Sequence, residues 1–297
     1  MKIGFVGLGL MGQPMVESLL KAGFALHVFS DNPASMRVLQ QRGAIAGTSV
    51  ADIAGKVDIF CSCRVTPQQS RSVFTGPDGV LSATSRPSVC IDFATIDPMT
   101  SREIGGVLTA EGIDFLDAPV SGGPDGARAG TLSIIVGGAA PVVTAVSTIF
   151  DTLGKQTFHM GGIGTGVTAK LCNNMISITT HALVAEAMVL GTKSGVNAVE
   201  LYEVLRNSSA YSRTLERVVP NHFLPRNFEA AATIEMIVKD LQAAIDLSVE
   251  EGVSLRLPAA AMRWFSEAVA HGHKKDDIAS VILPMEAIAG VRVGGQD

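Results

Sequence analysis

The chain begins with a short apolar run that breaks into closely spaced glycines: Lys2-Ile3-Gly4-Phe5-Val6-Gly7-Leu8-Gly9-Leu10-Met11-Gly12. An amphipathic segment, Met11 to Ala22, follows at once. Gly-x-Gly-x-x-Gly alone is a weak pattern. Set between a strand and a helix, it is the turn that binds a dinucleotide. Gly7 is expected to make the tight turn. Gly9, without a side chain, would let a pyrophosphate approach the backbone. Gly12 would let the helix pack close to the strand. The amide groups at the helix start would then face the phosphates.

A chain of 297 residues has room for two domains. Net charge is −5 and no basic block is present, which argues against a nucleic-acid footprint. No unbroken apolar run reaches the roughly 20 residues of a membrane span. Met1 sits one residue before the first strand, which leaves no room for a leader, and a cytoplasmic protein is expected. Cys61, Cys63, Cys90 and Cys172 lack metal or redox spacing and read as buried free thiols. His271-Gly-His273 has no carboxylate or thiolate partners in the sequence and reads as a solvated turn, so no metal site is expected.

Short apolar runs at Ile3–Val6, Leu26–Phe29, Val57–Cys61, Val89–Ile91, Phe115–Leu116 and Leu132–Val136 alternate with helical patterns such as Pro98–Glu111 and Pro141–Phe150. This spacing predicts an α/β Rossmann-type domain with a mostly parallel, doubly wound sheet. After Gly161-Gly-Ile-Gly-Thr-Gly166 the strand runs stop. A long helical pattern covers Val167 to Ser194, and others recur at Val199–Leu205, Met236–Glu250, Pro258–Ala270 and Asp277–Ala287. The expected division is a nucleotide-binding domain over 1–163 and an all-α domain over 164–297, joined by the long helix.

In such a fold the residue ending the second strand meets the adenosine ribose. An acid there accepts from the 2′-hydroxyl and repels a 2′-phosphate. Leu26-His27-Val28-Phe29 ends in Ser30-Asp31-Asn32, and no Lys or Arg follows Asp31 until Arg37. That favours NAD, with the alternative that Asp31 merely caps the next helix or a turn and Ser30 alone meets the ribose. Arg64, just past the fourth strand, keeps NADP open because it could rescue a 2′-phosphate.

Three further motifs bear on chemistry. In Asp117-Ala-Pro-Val-Ser-Gly-Gly123, the Ser121 hydroxyl and the amides of Gly122 and Gly123 would form a nest for a carboxylate. Lys170 and Asn174, four apart, would share a helix face. A lysine on an apolar helix beside a dry cofactor face would have its pKa lowered by desolvation and could exchange a proton with a hydroxyl, although Lys170 taken alone reads more readily as a solvated helix charge. Lys239-Asp240-Leu241 could supply a charge near the cofactor or close the cleft.

Jointly, in this order and spacing, these motifs resemble the β-hydroxyacid dehydrogenases, the family that includes 3-hydroxyisobutyrate dehydrogenase, tartronate semialdehyde reductase and glyoxylate/succinic semialdehyde reductase. The resemblance covers essentially the whole chain. It implies Lys170 as catalytic acid/base, Asn174 holding the substrate and Lys170, and Ser121, Gly122 and Gly123 on the substrate carboxylate. It further implies Thr95, in Asp92-Phe-Ala-Thr-Ile96, beside the nicotinamide, Lys239 on the cofactor side, and Asp240 orienting Lys239. Gly7, Leu8, Gly9, Leu10, Met11 and Gly12, with Ser30, Asp31 and Arg64, complete the expected cofactor contacts. The family also implies a homodimer or homotetramer and a small anionic substrate. The chain departs from the family in Arg64-Val65 for Leu-Pro, Ala94 for a serine, Ala232 for an aromatic, and Gly272-His-Lys-Lys-Asp-Asp277 for Gly-x-x-Asp-x-Asp. These departures bear on substrate identity. The rivals are an imine reductase, against which Lys170 argues, and a non-catalytic nucleotide-binding or chromatin-reader module, against which the Ser121–Lys170–Asn174 set and the acidic charge balance argue.

Overall fold

A computed structural model describes residues 1–230 and 233–295. The strands are β1 (Lys2–Val6), β2 (Ala25–Phe29), β3 (Ile45–Ala46), β4 (Ile59–Ser62), β5 (Val89–Asp92), β6 (Asp114–Asp117), β7 (Val120–Ser121), β8 (Leu132–Gly137) and β9 (Gly154–Gly161). The helices are α1 (Gly12–Lys21), α2 (Pro33–Gln41), α3 (Val50–Ala54), α4 (Pro67–Thr75), α5 (Pro98–Ala110), α6 (Gly123–Ala129), α7 (Ala140–Ala145), α8 (Ser147–Leu153), α9 (Thr165–Lys193), α10 (Ala198–Arg206), α11 (Arg213–Val218), α12 (Ile234–Glu250), α13 (Arg256–Ala270) and α14 (Ile282–Ala289). They group into two compact units, Met1–Lys170 and Leu171–Asp297.

In the first unit the strands form one sheet in the order β3-β2-β1-β4-β5-β6-β8-β7, with β9 paired to β8. Pairing is parallel from β3 to β6 and between β8 and β9. It is antiparallel where β8 meets β6 and β7. Period-two alternation sends Phe5, Cys61, Ile91 and Leu116 into a core on one face, with Met15, Leu19 and Ile149. Val6, Phe60, Cys90 and Phe115 enter a core on the other, with Phe74 and Ile104. The strands are therefore apolar on both sides, as a helix-covered parallel sheet requires. Local signals start the crossover helices. Asn32 accepts from the Ala34 amide ahead of α2, and Thr66 and Gln69 form a capping box at α4.

The second unit is helical. Its core gathers Met188, Phe223, Ile234, Leu241, Phe265 and Ile282. A single antiparallel bridge, Thr233 to Asp277, ties the chain just before α12 to the turn after α13.

The structure corrects several boundaries. The run Val57–Cys61 becomes β4, which starts two residues later and ends one later. Pro141–Phe150 is not one helix: α7 and α8 part at Val146, whose φ of −105° and ψ of 9° leave the helical region. Asp277–Ala287 splits into a 3₁₀ turn, Ile278–Val281, and α14. β9 goes unpredicted because its residues are mostly exposed and show no apolar alternation. Cys172 is exposed, against the expectation of four buried thiols; Cys61 and Cys90 are buried. α9, 29 residues long, would suffice to cross a membrane by length and composition, although Asn173, Asn174, His181 and Glu186 interrupt its apolar run. Among the described residues, no cluster of three or more His, Cys, Asp or Glu could hold a metal. Against the expectation that this turn lacks a carboxylate partner, His273 pairs with Asp276, three residues on, at 2.7 Å.

Candidate functional site

Three strands in the first unit end at one level. Register places Ser62 opposite Asp92, Asp92 opposite Asp117, and Asp117 opposite Gly137. Every β-to-α connection of the parallel portion leaves from this carboxyl edge, where ligands of such sheets bind. The glycine turn stands there after β1. Gly7 has φ +90°, and a Cβ on it would strike the Cys63 carbonyl. A Cβ on Gly12 would strike the Gly7 carbonyl, so the turn closes on itself. A Cβ on Gly9 would meet nothing within 4 Å, which leaves open space above its backbone for a pyrophosphate. Leu8 is buried, Leu10 is exposed, and Met11 is the residue ahead of α1. This turn fits a nicotinamide dinucleotide.

At the end of β2, Ser30 accepts from the Asn32 amide at 3.1 Å, and Asn32 caps α2. Asn32, not Asp31, therefore caps α2. Asp31 is 77% exposed and faces Arg64 from the β4–α4 loop, Nη2 to Oδ2 3.4 Å. Thr95 follows β5 and is half-buried. Ser121 ends β7 opposite Ser133. Gly122 then caps α6 and Gly123 begins it, so their amides sit at a helix start.

Lys170 is only 8% exposed. Its helix is fastened to the sheet by a residue whose part sequence reasoning missed. Asp117 Oδ1 accepts from the Gly164 amide at 2.7 Å, and Oδ2 from the Val167 amide at 2.8 Å. One buried carboxylate thus satisfies two orphan donors at the start of α9. Gly166 permits the close approach, because a Cβ there would lie 2.6 Å from the Ile135 carbonyl oxygen. Burial pushes the Asp117 carboxyl up to about 6, against the opposing pull of the Gly164 and Val167 amides. Burial likewise pushes Asp92 up to about 6. The Ser70 hydroxyl, the Ala94 amide and the Ser62 hydroxyl oppose that shift, and the nearby Asp117 adds to it. The signal for this row was an acid closing two successive apolar strands.

In the second unit, Asn174 Nδ2 donates to Asp240 Oδ2 at 2.7 Å, and Lys239 Nζ lies 2.7 Å from Asp240 Oδ1. A carboxylate can only accept, so the amide nitrogen of Asn174 must face Asp240 and its carbonyl must face away. That carbonyl accepts from Asn173 Nδ2 at 3.1 Å. Asn174, Lys239 and Asp240 are thus brought together, while Asn174 keeps the four-residue helical offset from Lys170. Ala232 lies outside the described residues.

Comparison with known proteins follows this geometry. Residues 2–162 match the NAD binding domain of 6-phosphogluconate dehydrogenase. Residues 164–285 match the NAD-binding family of NADP-dependent 3-hydroxyisobutyrate dehydrogenase. The chain is 34% identical to 2-(hydroxymethyl)glutarate dehydrogenase of Eubacterium barkeri, over 99% of this chain and 98% of that one. It is 36% identical to 3-hydroxyisobutyrate dehydrogenase of Pseudomonas aeruginosa, over 89% and 91%. Among solved structures, Mycobacterium tuberculosis 3-hydroxyisobutyrate dehydrogenase with L-serine superposes with a TM-score of 0.86 at 28% identity, covering 96% of this chain and 98% of that one.

Proposed function

The chain belongs to the β-hydroxyacid dehydrogenase family and is an NAD(P)-dependent oxidoreductase of small hydroxy acids, and from that premise we propose that Lys170 is its general acid/base. The substrate is a β-hydroxy acid of 3-hydroxyisobutyrate type, oxidised at its alcohol carbon, or the matching semialdehyde, reduced. A nicotinamide cofactor held at the Gly7–Gly12 turn would supply the acceptor or donor of the hydride. Lys170 Nζ takes the hydroxyl proton during oxidation and returns it during reduction. Ser121 and the amides of Gly122 and Gly123 bind the substrate carboxylate. Asn174, its amide nitrogen given to Asp240, offers its carbonyl oxygen as an acceptor that holds the substrate and Lys170. Gly7 to Gly12, Ser30, Asp31, Arg64, Thr95 and Lys239 serve the cofactor, and Asp240 orients Lys239.

The observation that carries this reading is a buried lysine, 8% exposed, on a helix whose first turn is held by the buried Asp117. A lysine kept from water at that cost calls for a proton-transfer task more than for a surface charge. Residues 1–163 serve the cofactor in this reading, and residues 164–297 form the all-helical substrate and oligomerisation domain of a homodimer or homotetramer. Support for assembly comes from α9, where Ile176, Leu183 and Leu190 recur every seven residues and stay 65, 61 and 69% exposed. Four free cysteines suit a cytoplasmic enzyme.

The test is initial-rate measurement with NAD and NADP across β-hydroxy acids and semialdehydes. We expect turnover on one of them, reduced by about 10²-fold or more in Lys170→Ala. Near-normal turnover in that variant would remove the assignment.

A further inference from the structure

Arg64 stands just past β4, and its surroundings leave it unfinished. It leaves β4 directly above the glycine turn, its Cδ 3.2 Å from where a Cβ on Gly7 would lie. From there it reaches across to Asp31 at the end of β2. The contact is loose. At 3.4 Å it is longer than the roughly 2.7–2.9 Å of a charge-assisted hydrogen bond. Meanwhile Arg64 Nε is shut off from solvent and has no hydrogen-bond partner among the described residues. A guanidinium carries five donors in a planar fork suited to phosphate. This one has a buried donor unused and a terminal nitrogen weakly engaged. A ribose 2′-hydroxyl would satisfy Asp31 and leave the Arg64 fork as it is. A phosphate monoester at that hydroxyl would bring acceptor oxygens and nearly two negative charges, which Arg64 can pair.

We propose that Arg64 is the residue that sets cofactor choice: it offsets the repulsion from Asp31 and gives the chain working affinity for NADP(H) beside NAD(H). The carboxylate that would reject a 2′-phosphate is already shared with a cation, and that cation keeps donors for the phosphate itself. This inference rests on the dinucleotide turn described above and leaves the identity of the hydroxy acid aside.

Equilibrium titration of NADH and NADPH fluorescence, without substrate, tests it in the wild type, Arg64→Leu, Arg64→Lys and Asp31→Asn. The wild type should bind the two within about tenfold of one another. Arg64→Leu should raise the ratio of the NADPH Kd to the NADH Kd by tenfold or more. Arg64→Lys, which keeps the charge but not the fork, should fall between. Asp31→Asn should shift the ratio toward NADPH. NADPH binding should also weaken more steeply with salt than NADH binding. An unchanged ratio in Arg64→Leu, or a wild-type preference for NADH of a hundredfold or more, would overturn the proposal. So would a failure to bind either nucleotide. If both nucleotides bind as expected but no hydroxy acid turns over, the proposed reaction fails while the cofactor assignment stands.

Discussion

Asn174 and Asp240, 66 residues apart in the chain, meet through a 2.7 Å hydrogen bond whose direction is fixed by chemistry, because only Asn174 can donate. The other oxygen of Asp240 lies 2.7 Å from Lys239 Nζ, an ion pair. One carboxylate thereby sets the orientation of two side chains on different helices.

Replacing Asp240 by Ala should release both. We expect kcat/KM to fall by about 10–100-fold, the scale of a lost ligand-orienting partner. Asp240→Glu should recover part of the loss. Steady-state kinetics beside a urea melt distinguish positioning from unfolding: a positioning role moves kcat with little change in the midpoint.

Asp117→Ala should strip two buried amides at the start of α9 of their acceptor. The expected cost is about 2–4 kcal/mol, from two unsatisfied donors. Urea unfolding measures it. Asp117→Asn keeps one acceptor oxygen and should cost less. Both variants should lose turnover, because Lys170 is carried by the same helix end.

The pH dependence of Asp92 has a definite sign. Its folded-state value, about 6, lies above the ordinary 3.8 because of burial. The folded chain therefore keeps a proton that the unfolded chain has released between those two values. Stability from this group is complete below about pH 4 and is lost as pH rises through 6. Asp92→Asn does not titrate there. Its stability relative to the wild type should improve between pH 4 and pH 7 by on the order of 2–3 kcal/mol. A difference that stays flat across that window, in urea melts at each pH, would contradict the burial argument.

Gly166→Ala should be costly although alanine favours helices. Its Cβ would lie 2.6 Å from the Ile135 carbonyl oxygen and 2.7 Å from that of Asp117, both on backbone that cannot step aside. We expect a loss of about 1–3 kcal/mol, the scale of overpacking. Gly106→Ala on α5, where the added carbon would meet nothing within 4 Å, is the control.

Much of this molecule is legible in the sequence where a local rule governs. The turn from Gly7 to Gly12 announces itself because each glycine answers a separate steric demand over six residues. The long helix of Lys170 shows in composition alone. β9 does not show, because Lys155, Gln156, His159 and Met160 lie exposed and its place depends on pairing with β8. The break at Val146 is equally silent, since no Gly or Pro marks it. The Asn174–Asp240 bond and the Arg64–Asp31 contact needed the fold, because sequence distance of 66 and 33 residues carries no geometry. Asp117 was visible as part of a motif, yet its task at α9 depends on strand register that brings it beside Gly137 and Gly164.

The parallel order that gathers Gly9, Asp31, Arg64 and Asp117 at one rim leaves the other rim chemically idle. There the chain returns from helix to strand through Gly23, Gly43 and Gly112, each in an exposed turn where an added Cβ would meet nothing within 4 Å. Such turns tolerate interruption. A reporter peptide spliced in at Gly43 or Gly112 would join the sheet at the edge opposite the cofactor turn. Within the first unit the sheet thus separates a rim where single atoms decide the chemistry from a rim of open glycine turns.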